Sequence, residues 1–113
     1  VLAAVSFTLG AAAEVEVLQA INPASTVAIN LTGNGLGQSL QGNAGANRLN
    51  GGGGADVMSG LGGNDSYWVD HVGDQVIETA GGGSDVIYAN LSYALAAGQD
   101  VETLATFGST TTQ

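Results

Sequence analysis

The sequence predicts an all-β chain wound into a coil of two stacked parallel sheets, with about 18 residues to the coil and short strands at both ends. Three observations lead there. Glycine supplies 19 of 113 residues, more than twice its usual share of about 7%. From Gly33 to Trp68 the chain divides into nine-residue units that each begin with glycine: GNGLGQSLQ, GNAGANRLN, GGGGADVMS and GLGGNDSYW. In every unit six turn-forming residues precede three with a large apolar residue in the middle. A turn and a minimal strand every nine residues return the chain to the same side after two units. Strands two units apart then pair in parallel, and turns two units apart stack. A flexible linker would not keep an apolar residue at a fixed place in each unit.

The elements follow in chain order. Residues 1–32 form an N-terminal flank, in which Val15 and Val17 alternate with Glu14 and Glu16, and Val27, Ile29 and Leu31 with Ala28, Asn30 and Thr32. Both patterns predict short strands. The apolar start ending at Glu14 has the outline of an export leader without its basic segment. Residues 6–18 recur, however, as residues 92–104 at an offset of 86, with Ser, Leu, Ala, Val, Glu and Leu identical, so a structural role is expected. The chain then holds about one and a third copies of a larger module and reads as a piece of a longer protein.

Residues 33–88 form the coil proper. Its core is expected from the eighth places, Leu40, Leu49, Met58 and Tyr67, continued by Val76 in the unit VDHVGDQVI. A two-residue slip precedes GGGSDVIY, where Gly83, Asp85 and Ile87 recover the pattern. Early outward places are polar, at Ser39, Gln41, Arg48 and Asn50; later ones are Val57, Trp68, Ile77, Val86 and Tyr88. An apolar outer face predicts a cover, supplied by residues 92–107 or by their relatives 6–21. Residues 89–113 form the C-terminal flank, where Val101 and Thr103 alternate with Asp100 and Glu102 in a third short strand.

GGGGADVMS and GLGGNDSYW resemble the nonapeptide GGxGxDxUx, with U large and apolar, of the RTX (repeats-in-toxin, haemolysin-type) calcium-binding family, as found in the C-terminal β-roll of serralysin-like proteases and other secreted bacterial proteins. The resemblance covers about half of the chain. It implies a right-handed parallel β-roll with Ca²⁺ between stacked turns, held by Asp oxygens and turn carbonyls. The sixth places stack as Gln38, Asp56, Asp74 on one side and Asn47, Asp65, Asp85 on the other. Carboxylates about 4.8 Å apart along a sheet repel unless a cation lies between them. Oxygen donors alone favour Ca²⁺, with two to four ions expected. The candidate pairs are Asp56 with Asp74 and Asp65 with Asp85; Asn47 with Asp65 is weaker because an amide carries no charge, and Gln38 with Asp56 weaker again. Asp70 is a candidate extra ligand in the irregular unit, and Gly51, Gly53, Gly60, Gly62 and Gly83 are candidate carbonyl donors.

Composition excludes much else. One Arg, no Lys and a formal charge of −9 leave no basic surface for nucleic acid. Without Cys there is neither a disulfide framework nor a thiolate metal site. With 10% charged and 44% hydrophobic residues the chain is not a disordered acidic tail, and no apolar run is long enough to insert across a membrane as a helix. His71 has no nucleophile elbow near it, Gly62 to Asp65 lacks the Lys of a phosphate loop, and Trp68 reads as part of the covered face before it reads as a sugar platform. The resulting expectation is a calcium-binding module of a larger secreted, extracellular or cell-surface bacterial protein, folding on Ca²⁺ after type I secretion and without catalysis of its own. Its partners are calcium ions and the neighbouring repeats of the parent chain. Alternatives are a repeated spacer of an adhesin or surface-layer protein, and a polysaccharide-binding appendage of a secreted enzyme, against which the charge of −9 stands.

Overall fold

The computed structural model describes residues 1–3, 6–78, 83–89 and 103–106. Eleven short strands run through them: β1 (Leu2–Ala3), β2 (Phe7–Thr8), β3 (Val17–Ala20), β4 (Asn30–Thr32), β5 (Ser39–Gln41), β6 (Arg48–Asn50), β7 (Val57–Ser59), β8 (Ser66–Val69), β9 (Gln75–Ile77), β10 (Val86–Ala89) and β11 (Thr103–Thr106). No helix occurs among the described residues. The strands form two parallel sheets, one ordered β1-β3-β5-β7-β9 and the other β11-β10-β8-β6-β4-β2. From β1 to β10 the chain alternates between them, making a β-solenoid of about five turns with ~18 residues per turn.

The period of nine dictates the register. Leu40 lies opposite Met58, which lies opposite Val76; on the other sheet Leu31, Leu49, Tyr67 and Ile87 follow one another. These side chains are all buried and meet between the sheets, joined by Leu18, Val69, Ala89 and Ile29. Each eighth place is thus an inward knob on a three-residue strand, and the turn residues around it stay at the rim. The slip before β10 is absorbed outside the strands: Val86 pairs with Ser66 across 20 residues instead of 18, yet Ile87 still falls on Tyr67.

One expectation needs correction, and a second falls mostly outside the described residues. In β3 the inward residues are Leu18 and Ala20, while Val17 is exposed and Val15 only packs against the core edge. Leu18 must face in because its strand pairs Leu18 with Leu40, and the core column overrides the local Val/Glu alternation. Of the two segments expected to cover the later outward places, residues 92–107 lie mostly outside the described residues, and residues 6–21 enter the sheets as β2 and β3. Strand β3 adds to β5 and β11 adds to β10, so both flanks lengthen the sheets instead of crossing them; residues 90–102 and the strand read around Val101 lie outside the described residues. Trp68 is instead shielded within its own sheet, stacked on Tyr88 at 4.9 Å and covered by the Arg48 guanidinium 4.8 Å from its ring centre.

Candidate metal centre

Turns stacked at one coil's spacing bring the sixth-place side chains together on each edge of the solenoid. All six are buried and point into the turn: Gln38, Asn47, Asp56, Asp65, Asp74 and Asp85. Each carboxylate accepts the backbone N–H of the sixth place one coil earlier. Gln38 N–H donates to Asp56 Oδ1 and Asp56 N–H to Asp74 Oδ1, both at 2.8 Å. Asn47 N–H donates to Asp65 Oδ1 at 2.8 Å and Asp65 N–H to Asp85 Oδ1 at 2.9 Å. The expected partners, Asp56 beside Asp74 and Asp65 beside Asp85, are therefore neighbours in two separate columns.

The two amide units end each column differently. Asn47 Nδ2 donates to Ile29 O and to Asn43 Oδ1, both at 3.0 Å, and Gln38 Nε2 donates to Val15 O at 3.0 Å and to Asn34 Oδ1 at 2.8 Å. Their oxygens accept the N–H groups of Asn43 and Asn34. A carboxylate could not make the first of these bonds, since it has no proton to give. Neutral amides thus close the first turns by hydrogen bonding alone.

In the acidic units the corresponding oxygens have no such partner. Asp56 Oδ2 and Asp65 Oδ2 are buried and receive no hydrogen bond. They lie against Gly51 and Gly60, where any Cβ would collide with the carboxylate, so glycine at the first place is a space requirement set by the sixth. Gly53 and Gly62 stack over Gly35 and Ala44 of the preceding coil, and Gly83, at φ 106°, packs on the Gly63 carbonyl. Asp74 is better satisfied, for its Oδ2 accepts the N–H groups of Asp70 and His71 at 3.0 Å. Asp70 itself is exposed at the lip of that turn.

One acid was not singled out by spacing. Glu78 follows the last regular unit and is buried, with a carboxylate oxygen that lies, together with one each from Asp65 and Asp85, within a mutual 4.8 Å. The Tyr67 hydroxyl donates to Glu78 Oε1 at 2.6 Å while accepting Gly60 N–H at 2.8 Å, which links the core tyrosine to the turn. The signal in the sequence was the slip: Glu78 stands just before the two added residues that displace Asp85 from the period of nine.

Burial penalises these charges. It pushes Asp56 up to about 7 against the Gln38 N–H bond, with Asp74 and Asp70 adding repulsion, and Asp65 up to about 7 with Asp85 as the repelling neighbour. Glu78 is pushed up to about 9, first by burial and then by its bond to Asp85. Asp70 is raised by burial and by Asp74, and Tyr67 is raised by burial and by Glu78. A buried carboxylate in such a place is stable either with a proton or with a cation beside it. The donor set is all oxygen, which suits a hard divalent ion and not zinc or copper.

The fold and site together define a parallel β-solenoid repeat domain whose stacked glycine turns bury a carboxylate in four successive units, at Asp56, Asp65, Asp74 and Asp85. Residues 32–67 match the haemolysin-type family described as RTX calcium-binding nonapeptide repeat, in four copies, and this stretch of the chain is an RTX repeat block. The RTX β-roll is a structural calcium-binding domain, and such repeats occur in secreted bacterial proteins. No curated protein and no solved structure matches the chain.

Proposed function

We propose that the chain is a calcium-binding module of a secreted bacterial protein, carried out of the cell unfolded by type I secretion and closed by Ca²⁺ outside, with no catalysis of its own. The observation that carries this reading is the pair of buried oxygens, Asp56 Oδ2 and Asp65 Oδ2, that no donor satisfies. Calcium supplies the positive charge that such oxygens need and tolerates the irregular sets of six to eight oxygen ligands that glycine turns offer. Asp56 with Asp74 would hold one ion and Asp65 with Asp85 a second, with Glu78 as a further carboxylate at the second site. Asp70 stands at the lip of the first. Asn47 and Gln38 serve as hydrogen-bonding closures in place of ligands. A charge of −9 and a core only two side chains deep per coil leave the metal-free chain weakly held.

The test compares the chain in chelator and in millimolar Ca²⁺ by far-UV circular dichroism and size-exclusion radius. Ca²⁺ is expected to raise the strand signal and shrink the radius. Equal spectra and radii in the two conditions would overturn the reading. Removing Asp65, placed between Asn47 and Asp85 in its column, is expected to cost more calorimetric Ca²⁺ response than removing Asp74, whose Oδ2 is already hydrogen-bonded.

A further inference from the structure

The first and last described strand pairs of the chain share one register. Strand β1 pairs with β3 so that Leu2 faces Gln19 and Ala3 faces Ala20. Strand β10 pairs with β11 so that Tyr88 faces Ala105 and Ala89 faces Thr106. Each residue of the second pair stands 86 positions after its counterpart in the first, the same offset at which residues 6–18 recur in the sequence. Sequence repeat and strand register are independent observations, and they agree residue for residue.

Their surroundings differ in one respect. Beyond β3 the sheet goes on, since Val17, Leu18 and Gln19 pair with Ser39, Leu40 and Gln41, and Leu18 is fully buried. Strand β11 is the last of its sheet among the described residues, and Leu104, the counterpart of Leu18, is 45% exposed. Among the described residues, then, Leu104 holds the place of a core residue but stays half exposed.

We propose that the β11 edge is a docking surface for the next copy of this same module on the same polypeptide, which continues the two sheets as one uninterrupted solenoid. Leu104 then packs as Leu18 does, under the next copy's Leu40. From β1 to β10 the chain takes nine strand steps and changes sheet, because β1 belongs to the five-stranded sheet and β10 to the six-stranded one. Nine is odd, so each copy is turned by half a coil relative to the one before. The column begun by Asp56 and Asp74 in one copy stands on the edge that carries Asp65 and Asp85 in its neighbour, and Trp68 faces alternate sides. At about 4.8 Å per coil, one copy advances the axis by roughly 22 Å.

The experiment joins residues 28–113 after Gln113 and compares this two-copy chain with the single one in Ca²⁺. Spin labels go on Gln75→Cys in both copies, since the native chain has no Cys to interfere. A single narrow distance distribution and a scattering cross-section equal to that of the single chain are expected. A broad distribution with two separable bodies would overturn the proposal. A second arm keeps it testable whatever the labels do: Leu104→Ser in the first copy is expected to lower the two-copy unfolding midpoint as much as Leu18→Ser lowers that of the single chain. In the single chain Leu104→Ser should shift the midpoint by far less. Equal small shifts from Leu104→Ser in both chains would show an uncovered edge and refute the junction. Loss of Ca²⁺ binding in both chains would instead strike at the calcium reading and leave the junction readable from the Leu104 comparison.

Discussion

Leu61 is the residue the backbone treats worst. It holds φ 72° at the second place of its unit, where the unit before has Gly52 at φ 78°. A left-handed conformation costs an L-residue with a Cβ about 1–2 kcal/mol, and glycine returns about 0.5–1 kcal/mol of that through its freer unfolded chain. Leu61→Gly is therefore expected to raise stability by up to ~1 kcal/mol in urea unfolding with Ca²⁺ present. The acids set a second residue-level expectation. In chelator, Asp56 and Asp65 move from 3.8 in the open chain to about 7 in the folded one, so the folded state keeps protons that the unfolded state releases. That stabilisation is complete below about pH 4 and is lost as pH rises through about 7. The urea midpoint of the chelated chain should fall from pH 5 to pH 8, and a midpoint that climbs over this range would contradict the burial. With Ca²⁺ the trend reverses, because protons and the ion compete for the same oxygens.

A turn, and not a strand, is the element that distinguishes one unit from the next. Strands β5, β6 and β7 present a buried residue between two outward ones with little variation, while their preceding turns close by amides in two cases and by a carboxylate in the third. Exchanging one closure for another has a calculable direction. Asn47→Asp removes the donor to Ile29 O and sets a charge against two oxygens, for a loss of about 1–3 kcal/mol in chelator by urea unfolding. Millimolar Ca²⁺ should restore part of that loss; an equal loss in both conditions would mean that the introduced carboxylate meets no cation. The turns were also where sequence reading stopped. Leu40, Leu49, Met58, Tyr67, Val76 and Ile87 were legible as the core because one inward place per strand repeats at a fixed interval. Glu78 was not, since it holds neither a sixth nor an eighth place of the pattern and is met by a hydroxyl supplied by Tyr67 eleven positions earlier. The inward face of β3 was missed for a related reason: Val15 and Val17 alternate with acids, but register with Leu40 is decided by the neighbouring coil.

At the scale of the whole molecule the flanks changed meaning. Composition divides the chain at residues 32 and 88, whereas β3 and β4 enter the same two sheets as the repeats. Pairing distances widen to 22 residues between Val17 and Ser39 and to 24 between Phe7 and Leu31, and the strands still stack. Sheet pairing needs a buried residue and a strand of the right hand-over, not a glycine-rich turn, which is why the periodic block was a sufficient sign of the fold but not its limit. Among the later outward residues, Trp68 is covered within its own sheet by Arg48 and Tyr88.

Every strand pairing among the described residues joins positions between 17 and 24 apart. The chain never has to find a distant partner. Closing each new coil costs nearly the same entropy as closing the last, for loop closure grows only with the logarithm of the length enclosed. An architecture of this kind is indifferent to its own length: it grows by a local step, as a thread winds on a spool, and a tenth coil is no harder to lay down than a third.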